Sequence, residues 1–471
     1  MSLRSLEYRT FGNGSGDVLF SVRTCAIFQA DELSLAILDF LRERQATDRE
    51  HLIEALSVDH AADDIESALR ELERTGFISA SPFEPIDYSA AMPNKDIPLP
   101  GISHLVMNVS HACNLHCSYC YAAGGSYNGK SQLMEPDMAV SAVYFLLDNT
   151  SDDEVLVTFF GGEPLLNTEA IKAAVLRGRE RARELGKKIG YAVTTNGTLY
   201  DEEFLSFAIS QGVKFTMSMD GQKELHDKHR KFNDGSGSYD VIVSRLPKLL
   251  DRTQVPARTT LTKGNQDVVG IMDHLQSLGF NEVGFAPADV TGGDLSLDES
   301  EMEEVIEGFK VLSERFLEAA SQAKVYGFTN IINLMRLFHE GEARPVPCGA
   351  GIKLMGVSAS GELYVCHRFT GNEEFQIGSI QDGIDAGRRR EILGSAFVMS
   401  KPACRSCWAR HLCGGGCYYL SHLHHGTIRD PHALTCSFLR KWYEIGIKIY
   451  ANIAVENPAF LEKCTGVGLN C

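Results

Sequence analysis

The sequence predicts an α/β fold: a parallel sheet covered by helices, open or barrel-like, between a small winged-helix-like module and a Cys-rich tail. Three observations carry that prediction. Apolar strand patterns alternate with helical patterns six times between residues 100 and 330. Paired strand patterns followed by three helical stretches occupy residues 1–90. Nine of the thirteen cysteines lie in a Gly-broken segment that begins near residue 345.

In the first module, VLFSVRTCAIFQAD from Val18 suggests paired strands. Helical spacing follows near 34–44, 48–55 and 63–75, Gly76 supplies a helix stop, and FIS a short strand. A winged helix invites a DNA-binding reading. Residues 1–80, however, hold eight Arg and no Lys beside fifteen Asp and Glu, and the whole chain carries a formal charge of −17. Such a surface repels phosphate backbones and anionic lipid, so neither nucleic acid nor membrane is expected as a partner. Peptide docking or packing suits this module better. Residues 82–101 have a Pro-rich linker composition. No apolar run approaches the roughly 18 residues of a bilayer span, and a cytoplasmic protein is expected.

The six strand patterns are HLVMNV, VLVTFF, GYAVTT, VKFTMSM, PARTTL and EVGFAP, and helical patterns follow near 136–149, 168–185, 201–211, 239–250, 266–278 and 298–320. Near-continuous apolar strands imply burial on both faces, as in a parallel sheet. Chemistry in such sheets gathers at the C-terminal strand ends. Strand one runs into a cysteine group, strand two into Gly161-Gly162-Glu163-Pro164, strand three into Asn196-Gly197 and strand four into Asp220-Gly221. The tail, 345–471, leaves little room for an apolar core and calls for metal staples.

Clustered cysteines in a reducing compartment more often hold metal than form disulfides. HACNLHCSYCYA sets Cys113, Cys117 and Cys120 in a C-x3-C-x2-C loop, able to wrap one face of a cubane cluster and leave one iron without a protein ligand. A zinc site with a distant fourth ligand is the plainer alternative. Together with FFGGEPLL, TTNG and SMDG at strand ends, this loop resembles the radical S-adenosylmethionine (SAM) superfamily. The resemblance implies a partial (β/α)6 barrel over 100–330 and a [4Fe–4S] cluster on Cys113, Cys117 and Cys120. It also implies SAM on the open iron, cleaved to a 5′-deoxyadenosyl radical. Gly161, Gly162 and Glu163 would contact the methionine amino group, Glu163 balancing its charge. Asn196 and Ser218 would contact ribose or methionine, and Tyr119 would cover the cluster edge or stack on adenine.

Cys404, Cys407, Cys413, Cys417 and Cys436, preceded by Cys348 and Cys366, have spacing similar to the SPASM extension with its two auxiliary [4Fe–4S] clusters, three clusters in all. The resemblance assigns Cys348, Cys366 and Cys417 to the first auxiliary cluster, open at one iron or completed by Cys464 or Cys471. It assigns Cys404, Cys407, Cys413 and Cys436 to the second. Cys25 reads as buried packing. Asp220 is a candidate catalytic group that accepts a proton or grips substrate backbone, while His226, Asp227 and Arg230 read as solvated charge or as organisers of a substrate loop.

The module order resembles maturases of ribosomal peptides, nearest to those of six-cysteine peptides and of the quinohemoprotein amine dehydrogenase small subunit. This implies a precursor peptide or small subunit held through its leader by residues 1–90, thioether cross-links from Cys sulfur to carbon, and a flavodoxin or ferredoxin reductant. An anaerobic sulfatase-type formylglycine maturase, a carbon–carbon cross-linking enzyme and an iron–sulfur electron carrier are the alternatives.

Overall fold

The computed structural model describes residues 2–13, 16–80 and 101–466. The Pro-rich linker up to residue 100, and Cys471, therefore lie outside the described residues. Six parallel strands follow one another in chain order: His104–Ser110, Glu154–Gly161, Lys188–Thr195, Val213–Ser218, Pro256–Leu261 and Glu282–Pro287. Each is H-bonded to the next, the order of a barrel rather than of a doubly wound sheet. The helices between them begin where the chemistry of their first residues dictates. Pro136 opens Pro136–Asp148, Asp201 caps Glu202–Ser210, and Asp298 with Glu301 forms a capping box on Glu299–Ser321. Met134, Met217 and Met219 are buried in the core these layers enclose.

Two features depart from the sequence reading. Beyond strand one the sheet continues with Leu354–Val357, parallel to His104–Ser110, and then with Glu362–Tyr364, Gln376–Ser379 and Gly383–Ile384 as an antiparallel ribbon. The tail thus extends the barrel sheet. Met355, Val357, Leu363, Phe369 and Ile377 join the main apolar core, and the 24-residue helix Ala433–Glu456 lays Trp442 against Phe309 at 4.9 Å. The expectation of a core-poor tail is corrected, because short alternating strands bury side chains once a long sheet receives them.

Residues 2–80 carry their own core, including Leu3, Leu19, Leu38, Leu69 and Phe77. Helices Glu32–Arg44, Arg49–Leu56 and Ala62–Arg74 stand where the sequence predicts them, with Ile78–Ser79 as the closing strand. A three-stranded antiparallel sheet precedes the helices, in the order Tyr8–Asn13, Gly16–Ser21, Ile27–Gln29. Its hairpin grips the tail: Phe11 and Phe20 meet Trp408 edge-on at 5.3 and 5.7 Å, and Glu7 pairs with Arg410. Cys25 is buried in the main core, as expected. Among the described residues no helix is long and apolar enough to cross a membrane.

Candidate active site

A cavity of about 520 Å3 occupies the barrel interior, and the strand ends named by the sequence open onto it. Cys113, Cys117 and Cys120 line it from one side; Gly161, Gly162, Asn196 and Ser218 line it from the strand ends. The cysteine loop is held by a short strand, Leu115–Cys117, paired antiparallel with Arg230–Phe232 so that Cys117 lies opposite Arg230. His229 braces the same loop, its Nδ1 2.7 Å from Ser118 Oγ and its Nε2 3.2 Å from Thr262 Oγ1.

Several N–H groups aim at the thiol sulfurs. Leu115 N donates to Cys113 Sγ at 3.4 Å, Asn196 Nδ2 lies 3.9 Å from the same sulfur, and Arg230 Nη1 lies 3.9 Å from Cys117 Sγ. Burial pushes the Cys113 thiol up to about 12, so a thiolate there needs a positive partner. Donors around thiolate sulfur are the surroundings that iron–sulfur ligation uses. Among the described residues no three His, Cys, Asp or Glu side chains converge as on a single ion. The three thiols line one shared cavity.

The glycine turn is required by close packing. A Cβ on Gly162 would lie 2.2 Å from the Ala112 carbonyl oxygen, and one on Gly161, where φ is +131°, would lie 2.3 Å from that of Ser110. Strand two can thus pass directly against the root of the cysteine loop.

Glu163 does not line the cavity. It is fully buried, accepting from Leu165 N at 3.1 Å, Thr195 Oγ1 at 2.6 Å and Asn196 N at 2.7 Å. Its carboxylate ties the end of strand three to the turn. Burial outweighs these donors and lifts it to about 7. Asn196 in turn donates to Asn114 Oδ1 at 2.9 Å, a contact the sequence did not single out.

Asp220 is likewise absent from the cavity wall. Its fully buried carboxylate accepts from Tyr119 Oη, from Arg230 Nε at 2.9 Å and from Thr260 N at 3.0 Å. These donors leave it no face toward a substrate. Arg230 is also buried, not solvated. Burial alone would pull its guanidinium down, but Asp220, with Tyr119 and Cys117, holds it well above its ordinary value. His226 is fully buried, with Nε2 3.0 Å from Ser238 Oγ, so it is not solvated either. Tyr119 is fixed by Asp220 and by Arg230, whose guanidinium lies 5.5 Å from its ring centroid.

Arg368 and Tyr121 also line this cavity and separate it from a second one of about 530 Å3. Arg368 pairs with Asp289 and lies over the rings of Tyr121 and Tyr419 at 5.1 and 5.7 Å. No sequence pattern marked this partition.

The tail cysteines fall into two groups. Cys404, Cys407, Cys413 and Cys436 line a cavity of about 220 Å3. Burial raises the Cys366 thiol, and the thiols of Cys348 and Cys417 raise it further; burial and the same three thiols raise Tyr418. Cys464 lies apart, its buried thiol facing Arg336 and Glu282.

Residues 107–275 match the family model described as the Radical SAM superfamily. A Cysteine-type anaerobic sulfatase-maturating enzyme of Clostridium perfringens is 25% identical over 354 residues, 68% of this chain and 89% of that protein. The solved structure of anSMEcpe with bound AdoMet superposes with a TM-score of 0.67 and 21% identity over 78% of this chain and 98% of its own. Streptococcus suis SuiB bound to precursor peptide SuiA superposes with a TM-score of 0.52 and 15% identity over 92% of this chain and 99% of its own. These structural likenesses establish the fold.

Proposed function

We propose that this chain, which belongs to the radical SAM superfamily through residues 107–275, modifies a ribosomal peptide or small protein subunit by forming Cys thioether cross-links. One observation carries the radical part of the reading: three thiols face the same cavity as the Gly161–Gly162 turn, Asn196 and Ser218. A cluster on Cys113, Cys117 and Cys120 with SAM on its open iron would supply, when bound, a 5′-deoxyadenosyl radical that takes a hydrogen from a substrate carbon.

The residues of the chain prepare that event. The Gly161–Gly162 backbone offers carbonyl oxygens to the methionine ammonium, with Glu163 behind it as a positioning residue. Asn196 and Ser218 face the space for ribose or the methionine carboxylate. The Arg230 guanidinium beside Cys117 offsets negative charge on the ligated sulfur, and Asp220 keeps Arg230 and Tyr119 in place. Tyr119, closing the loop, limits water entry.

Auxiliary clusters on the two tail groups fit the donor sets found there. Cys348, Cys366 and Cys417 would leave one iron open toward a substrate sulfur, Cys464 standing among other groups and Cys471 lying outside the described residues. The second cavity, behind Tyr121 and Arg368, gives a peptide room along Arg368, Phe369 and Tyr419. Residues 1–80 fit leader recognition, because Ile27–Gln29 ends its sheet with an edge free for strand addition among the described residues. SuiB, whose likeness spans too much of this chain to leave that module out, was solved with a precursor peptide. A flavodoxin or ferredoxin is the proposed reductant.

A sulfatase-type formylglycine activity is the second reading, favoured by the C. perfringens relative. Co-expression with the short Cys-rich peptide of a neighbouring gene separates the readings by mass spectrometry. A thioether removes two hydrogens and one alkylatable thiol per link, a carbon–carbon link spares the thiol, and formylglycine removes the sulfur. An unmodified peptide from every Cys-rich neighbour would overturn the thioether reading.

A further inference from the structure

Lys401 is one of the largest fully buried side chains in the protein. It stands on the approach to the short helix Pro402–Arg405, which bears Cys404, and its Nζ donates to the Gly415 carbonyl oxygen at 2.7 Å. Gly415 is the middle of Gly414–Gly416, which joins Cys413 of one thiol group to Cys417 of the other. All three glycines have left-handed φ, of 68°, 98° and 78°. The absence of a side chain at Gly415 lets the lysine stem press on the connection, since a Cβ there would lie 3.2 Å from Lys401 Cδ.

A buried ammonium is costly unless opposite charge faces it. Among the described residues no carboxylate pairs with Lys401. The Lys401 carbonyl oxygen accepts from Cys404 N at 3.0 Å, and Nζ lies 5.5 Å from the Tyr418 ring centroid. Gly415, whose carbonyl oxygen Nζ meets, lines the four-cysteine cavity and stands two residues from both Cys413 and Cys417. The ammonium is thus placed at the wall of the four-cysteine cavity, with Cys417 of the three-cysteine group one step along the same connection.

We propose that the Lys401 ammonium is a fixed charge that raises the reduction potential of the four-cysteine cluster above that of the three-cysteine cluster. The inference rests on the reading that both groups hold [4Fe–4S] clusters. One-electron reduction adds one negative charge beside the ammonium, which stabilises the reduced state, and net charge near a cluster is a principal lever on its potential. Coulomb attraction weakens with distance, so the four-cysteine cluster gains most, the Cys417-ligated cluster less, and the Cys113–Cys120 cluster least. An electron on the three-cysteine cluster would then pass to the four-cysteine cluster, oxidising the first and reducing the second. Lys401 acts as a positioning and tuning residue, not a catalytic one.

The test is an EPR-monitored redox titration of the anaerobically reconstituted full chain as wild type, Lys401→Gln and Lys401→Arg, with Cys436→Ala identifying the four-cysteine signal. Gln keeps a donor for the Gly415 carbonyl and loses the charge, whereas Arg keeps both. The expected result is a shift of the four-cysteine signal to lower potential in Lys401→Gln, a smaller shift of the three-cysteine signal, an unmoved radical SAM signal, and recovery in Lys401→Arg. A four-cysteine potential unchanged in Lys401→Gln at full iron content overturns this inference alone. A wild-type chain binding about four irons, instead of the about twelve of three clusters, removes the auxiliary assignment and this inference with it.

Discussion

Replacing Asp220 by alanine removes the acceptor that Arg230 Nε, Tyr119 Oη and Thr260 N share, inside a region where Asp220 is fully buried and the Arg230 side chain is 9% exposed. The cost is set by what remains: a buried guanidinium without its carboxylate, worth about 3–5 kcal/mol. Against a total stability on the order of 5–15 kcal/mol, this is a large fraction. Asparagine also loses the charge but keeps one acceptor oxygen, so it recovers about 1 kcal/mol of that cost. Urea denaturation of the apo-protein should report a lower midpoint for Asp220→Ala with the slope preserved. Iron loading should fall in parallel, because Arg230 is paired in register with Cys117. The reasoning fails if Asp220→Ala costs less than about 1 kcal/mol. It fails equally if Asp220→Asn keeps full stability and iron yet loses turnover, the signature of a proton acceptor.

Three further perturbations test neighbouring parts of the account. Gly162→Ala puts a Cβ 2.2 Å from the Ala112 carbonyl oxygen, so the turn must move; SAM affinity, read by equilibrium dialysis, should fall at least about tenfold, roughly 1.4 kcal/mol. Glu163, lifted to about 7 by burial, holds a proton in the folded state that the unfolded chain releases near 4.5; its stabilisation is full below that value and is lost as pH rises through about 7, an apo-protein slope worth about 3 kcal/mol that Glu163→Gln should flatten. Parallel pH–stability profiles of wild type and Glu163→Gln would contradict it. Phe20→Ala removes a buried ring 5.7 Å from Trp408 and should destabilise the chain by about 3–5 kcal/mol in the same urea assay; an unchanged midpoint would mean the hairpin does not hold the tail.

The six strands and their helices were legible because each carries its own signal: continuous apolar runs, Pro136 opening one helix, aspartates capping others. The loop of Cys113, Cys117 and Cys120 was legible from its spacing, and the division of the tail cysteines from their resemblance to the SPASM pattern. Burial of charge was not. Asp220, Glu163 and Arg230 have the composition of solvated turns, and their partners (Tyr119, Thr195, Thr260) come from other strands and loops, so no local pattern announces them. The helices Lys223–His229 and Thr329–Glu340 were missed, the first because it is short and charged. The strand Leu354–Val357 became a sheet member only through pairing with His104–Ser110, a contact between distant parts of the chain. Lys401 shares that illegibility: three residues before a cysteine it reads as surface, and only the Gly414–Gly416 connection folds over it.

The measurement that bears most directly on the account is 5′-deoxyadenosine formation by the reduced, anaerobically reconstituted chain supplied with SAM, compared with a Cys113→Ala/Cys117→Ala/Cys120→Ala variant that keeps its tail cysteines. The wild type is expected to form 5′-deoxyadenosine and the variant none, despite about two-thirds of the iron remaining on two of three clusters. No 5′-deoxyadenosine from a fully loaded wild type, or an equal yield from the variant, would contradict it.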